Sequence, residues 1–119
     1  MEEAQRIARI GSWELVLSSN TAIWSEEQYR ILGYEPEAVE PSVEAFLDHV
    51  HPEDRNRVID ARADTAGPDH MALDYRVMHP DGTLLHVSEV TEVIRDEAGR
   101  AVRMIGTTQD VTEDKAAEQ

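Results

Sequence analysis

The stretch Leu73–Thr112 reads LDYRVMHPDGTLLHVSEVTEVIRDEAGRAVRMIGTTQDVT, and its punctuation decides the fold. Three strand-like runs are separated by two tight-turn signals, Pro80-Asp81-Gly82 and Asp96-Glu97-Ala98-Gly99. Gly82 and Gly99 each stand where a short hairpin loop favours a residue that tolerates positive φ. A meander of three antiparallel strands needs a helical layer over one face, and the residues before it can supply that layer. Nothing in the stretch carries catalytic equipment; it reads as a scaffold.

Working outward, Gly11–Leu17 alternates, with Trp13, Leu15 and Leu17 on one face and Glu14 and Val16 on the other. Ser18-Ser19-Asn20 is a turn and Thr21–Trp24 a second short strand, which predicts a hairpin. Ser25 followed by Glu26 and Glu27 marks a helix start, a hydroxyl cap with acids in the positively polarised first turn. That helix carries Tyr29, Ile31 and Leu32 and stops at Gly33. Ser42 caps a second helix through Val43, Phe46, Leu47 and Val50. Pro52 suits the first position of a third, with Glu53 and Asp54 in its first turn, running until Gly67-Pro68 breaks it. Residues 2–9 read as a short entry helix with Ile7 and Ile10 as its apolar edge. After that entry helix the expected order is β-β-α-α-α-β-β-β. Both ends read as connectors, at residues 1–10 and 113–119, around one domain at 11–112.

The 119 residues fit one domain with a modest core. A formal charge of −14, with only 11 Lys and Arg, argues against nucleic acid or an anionic membrane as partner. The chain has no cysteine, which removes disulfides, thiolate metal sites and a cysteine nucleophile. No apolar run approaches the roughly 20 residues of a membrane span, and the expected location is the cytoplasm.

In this order and spacing, a series of short motifs resembles a PAS domain with its PAC extension across nearly the whole chain. They are Gly11-Ser12-Trp13-Glu14-Leu15, Trp24-Ser25-Glu26-Glu27, Tyr29–Tyr34, His51-Pro52-Glu53-Asp54-Arg55, Tyr75-Arg76-Val77, Pro80-Asp81-Gly82, Asp96–Arg100 and Ile105–Thr112. The resemblance implies an α+β fold, a five-stranded antiparallel sheet with helices over one face. It also implies a sensory module of a larger signalling protein, upstream of a histidine kinase or a cyclic-dinucleotide enzyme, and a homodimer. Asp110 and Thr112 match the family's exit motif, where side-chain hydrogen bonds tie the last strand to the outgoing helix. One departure is Leu85-His86, where relatives often carry Arg-Trp.

The residues expected to line a space between helices and sheet are Trp24, Tyr29, Leu32, Phe46, Val50, Val58, Tyr75, Val77, Val90 and Met104; filling the core is their other role. Ile7, Ile10, Trp13 and Leu15 are the dimer-interface candidates. His49, His51, Glu53 and Asp54 form the one tight group of possible metal ligands. However, two-residue spacing in a helix points the histidines about 200° apart, so no metal site is assigned. No histidine lies within Glu53–Ala66, where haem-binding relatives place their ligand, and a cysteinyl-flavin adduct is excluded; the cofactor stays unidentified. The 25 acidic residues fall mostly in caps, turns and exposed faces, and no nucleophilic triad or phosphate loop accompanies them, so no catalytic residue is assigned. Two readings follow: a sensor that binds a small ligand between helices and sheet, or a ligand-free dimerisation and relay module. A cavity of roughly 300 Å³ or more favours the first.

Overall fold

The computed structural model describes residues 8–63 and 69–113. Five strands, β1 (Ile10–Val16), β2 (Thr21–Trp24), β3 (His70–Met78), β4 (Leu84–Arg95) and β5 (Ala101–Asp110), enclose three helices in the chain. The helices are α1 (Glu26–Leu32), α2 (Val43–His49) and α3 (Pro52–Ala63). The strands form one antiparallel sheet in the order β2-β1-β5-β4-β3. The first and last strands of the chain are therefore neighbours in the middle of the sheet.

Local chemistry explains the boundaries. The β3–β4 and β4–β5 turns place Gly82 at φ 91° and Gly99 at φ 82°. In the second of these turns, Asp96 Oδ1 accepts from the backbone N–H groups of Ala98 and Arg100. Ser25 Oγ accepts from Gln28 N–H at 3.3 Å, capping α1, and from Ser12 N–H at 3.0 Å, which fastens the cap to β1. Ser42 Oγ caps α2 through Ala45 N–H at 2.9 Å. His51 precedes α3 and accepts from Glu53 N–H through Nδ1 at 3.1 Å. The two serine caps are those expected from the sequence.

The helices cover one face of the sheet. Ile31, Leu32, Phe46, Val50, Val58, Tyr75, Val77 and Val87 form the main core, while Trp13, Val93 and Met104 form a second cluster towards β1 and β5. Asp54 locks α3 to β3: its Oδ2 accepts from Arg76 N–H and Nε at 2.9 and 3.0 Å, and its Oδ1 from Nη2 at 2.9 Å. The Arg76 side-chain bonds, chiefly, hold the Asp54 carboxyl down to about 2. No helix among the described residues is long and apolar enough to cross a membrane.

Several expectations are corrected here. Ile10 begins β1, paired with Gln109, rather than ending a helix. Ile7 and most of the expected entry helix lie outside the described residues, as do Gly67 and Pro68. Trp13 and Leu15 do not point outward towards a second subunit. The β1–β5 register sets Trp13 opposite Gly106 on the helix-covered face, where Trp13 is 6% exposed and Leu15 packs against its cluster. Val90 lies on the opposite face, 53% exposed, because its neighbours Glu89 and Thr91 take the inward positions on either side of it.

Candidate functional site

The centre of the helix–sheet space is filled. Leu32, Phe46, Val50, Val58, Tyr75 and Val77 are buried against one another, with Trp24 packed at their margin and Tyr29 making an edge contact to it. Of the ten lining candidates, Met104 alone borders the substantial apolar space in this layer. That space is a half-open groove of about 320 Å³ beside the filled core, lined by Leu15, Leu17, Val43, Leu47, Ile59, Arg62, Ala63 and Met104. Its walls belong to β1, β5, α2 and α3 and to the residue after β1.

Arg62 sits at the junction of the groove and the core. It leaves the last turn of α3 and lies between two rings, its Cζ 4.0 Å from the Phe46 centroid and 4.5 Å from that of Trp13. Its Nη2 donates to Glu89 Oε1, and Glu89 is fully buried in β4. Tyr75 donates its phenolic proton to the same Glu89 oxygen at 2.8 Å, and Thr91 donates to Oε2 at 3.1 Å. Burial, reinforced by the neighbouring Glu89 charge, pushes the Tyr75 phenol well above its ordinary value. A buried carboxylate is sustainable here because each oxygen is hydrogen-bonded and a guanidinium neutralises it.

The Asp110–Thr112 junction, expected from the resemblance to be the signal exit, lies at the far end of β5. Asp110 Oδ1 accepts from Thr112 N–H at 3.0 Å and Thr112 Oγ1–H at 2.6 Å. Thr112 Oγ1 in turn accepts from His86 N–H at 3.0 Å, and Val111 N–H donates to His86 C=O at 2.8 Å. Asp110 N–H donates to Arg9 C=O at 3.0 Å, while the Arg9 guanidinium pairs with Glu113 at 3.4 Å. The Leu85-His86 departure is thus accommodated: position 86 meets the exit through its backbone, and Leu85 packs against the core.

The histidines of the possible metal group are used separately. His49 Nδ1 donates to Leu32 C=O at 2.5 Å and its ring stacks on Tyr34, whereas His51 caps α3. His79 reaches the same end of α1, donating from Nε2 to Ile31 C=O at 2.8 Å. Sequence reading missed Arg62 and Glu89. The available signal was parity: Glu89 and Thr91 are in phase with Val87 and Val93 along β4, so the inward row is mixed apolar and polar.

The five-stranded antiparallel sheet in this order, with its helices packed on one face, is an α+β architecture with its last strand tied down at the end. The profile of the PAS fold matches residues 21–108. The methyl sulfide methyltransferase-associated sensor of Methanosarcina acetivorans is 32% identical over 93 residues, 74% of this chain and 9% of that protein. A sensory box histidine kinase/response regulator from Burkholderia thailandensis E264 superposes with a TM-score of 0.76 at 26% identity, over 98% of this chain and 88% of the other. The N-terminal domain of a diguanylate cyclase with PAS/PAC sensor from Marinobacter aquaeolei shares the fold, with a TM-score of 0.78 at 23% identity, over 89% and 98%. The chain belongs to the PAS fold family. It spans about a tenth of the curated sensor it matches.

Proposed function

We propose that this chain is a regulatory, ligand-responsive PAS module rather than an enzyme. In this reading a small molecule enters the groove between helices and sheet, and the response leaves through β5. One observation carries the reading. The groove of about 320 Å³ has Met104 in its wall, and Met104 belongs to the strand that ends at Asp110. A ligand pressing on Met104 acts on a strand hydrogen-bonded on both sides and fastened at its end, so the displacement reaches the Asp110–Thr112 junction instead of dissipating in a loop. The output domain is proposed to be a histidine kinase or a cyclic-dinucleotide enzyme joined to this module.

The second reading, a ligand-free relay, draws support from the filled centre of the core. The homodimer it requires is proposed to use the outer sheet face, where Ile23 and Val90 are each more than half exposed and Ile105 lies between them. Replacing Ile23 and Val90 together by Arg then yields a monomer in sedimentation; a persistent dimer removes that face from consideration.

Native mass spectrometry of gently purified protein, with a near-ultraviolet and visible absorbance spectrum, separates the two readings. A retained small-molecule mass supports sensing. A clean apo dimer whose melting temperature no small molecule raises supports relay.

A further inference from the structure

The groove's lining dictates what it can hold. Its walls are aliphatic apart from Arg62, the single charged lining residue among those described. A lone arginine in an apolar groove ordinarily suggests an anionic ligand. Here that charge is already committed: Arg62 is paired with the fully buried Glu89, and Tyr75 and Thr91 hold the Glu89 oxygens in place. An anion entering beside the pair would bring a second negative charge next to Glu89, in a chain whose formal charge is −14. Taking Arg62 away from Glu89 would leave a buried carboxylate without its counterion.

Resting on the sensory reading above, we infer that the groove takes a small, neutral, predominantly apolar molecule and rejects its carboxylate counterpart. The volume of about 320 Å³ lies at the small end of ligand pockets, which suits a compact aliphatic or monocyclic compound. The selection rule resides in Glu89, which never touches the ligand but sets the charge that Arg62 can offer.

The test uses 1-octanol and octanoate, matched in chain length and differing in charge, against protein labelled at its methionine methyl groups. Met104 lies in the groove wall, whereas Met78 points away on the exposed sheet face and serves as the control. The expected result is a saturable shift of the Met104 methyl with octanol, at least about tenfold weaker binding of octanoate, and no saturable change at Met78. Ile59→Trp, a partly exposed helix position, fills the groove and abolishes the octanol shift. Glu89→Gln keeps an acceptor for Tyr75 while releasing the Arg62 charge, and reverses the preference towards octanoate. Equal or tighter octanoate binding at Met104 in the unaltered protein overturns the charge rule and leaves the pocket reading standing. No Met104 shift with either compound overturns the inferred class, and if native mass spectrometry also finds no retained ligand, the sensory reading falls with it.

Discussion

The indole of Trp13 occupies the space that a side chain at position 106 would need. A Cβ on Gly106 would lie 2.5 Å from Trp13 Cζ2 and 2.5 Å from the Val90 carbonyl oxygen. The absent side chain lets a large aromatic rest over β5, and the same indole supports the Arg62 guanidinium from one side. Gly106→Ala should therefore cost about 1–3 kcal/mol by overpacking. Because Trp13 must move, its emission should shift to the red. A Trp24→Phe background isolates that signal, and an unchanged spectrum with unchanged stability would contradict this packing.

The Arg62–Glu89 pair makes a prediction that is asymmetric. Glu89→Ala leaves a largely buried guanidinium and the Tyr75 hydroxyl without their acceptor, and should destabilise the fold by about 3–5 kcal/mol in urea titration. The double replacement Arg62→Met with Glu89→Leu should recover most of that loss, since it removes both charges and restores apolar volume. A double variant as unstable as the single would show that the hydrogen bonds, not the charges, dominate.

Acid should loosen the attachment of α3 to β3 in a defined window. Asp54 is held at about 2, against an ordinary value of 3.8. A depressed carboxyl contributes stability that is fully present above the unfolded-state value and is lost as pH falls through the folded-state value. The Asp54 contribution should accordingly fade between about pH 4 and pH 2. Asp54→Asn should lower the melting temperature at neutral pH and flatten this part of the acid profile. A parallel profile for the variant would assign the acid sensitivity to other carboxylates.

At the exit, Thr112→Val keeps shape but removes the acceptor for His86 N–H. The expected cost is about 1–2 kcal/mol, and the His86 amide should exchange faster with solvent. Unaltered exchange at His86 would mean that the hydroxyl does not hold β4 to the exit.

Much of the architecture was legible because turn and cap chemistry is local. Gly82 and Gly99, Ser25 and Ser42, and Pro52 each announced a boundary that tertiary contacts did not override. The groove was less legible. In β4 the valines at 87, 90 and 93 fall three apart, so they cannot all share one face of a strand; the fold turns Val90 out and takes Glu89 and Thr91 in. Hydrophobicity alone favours Val90 over Glu89, and only the pairing with Arg62 from a different element reverses that order. Trp13 failed for a related reason. Its inward place depends on Gly106, 93 residues later, which no local pattern reveals.

The sheet order carries one more consequence. Because β1 and β5 lie side by side, Arg9 and Asp110 share a backbone hydrogen bond, and Arg9 reaches Glu113 as well. The chain thus enters and leaves through one doorway. Under the proposed sensory reading, torsion applied ahead of Arg9 would bear on the segment after Asp110 without crossing the domain, and a groove ligand would act as a brake on that twist, stiffening or slackening a hinge whose two leaves are already pinned together.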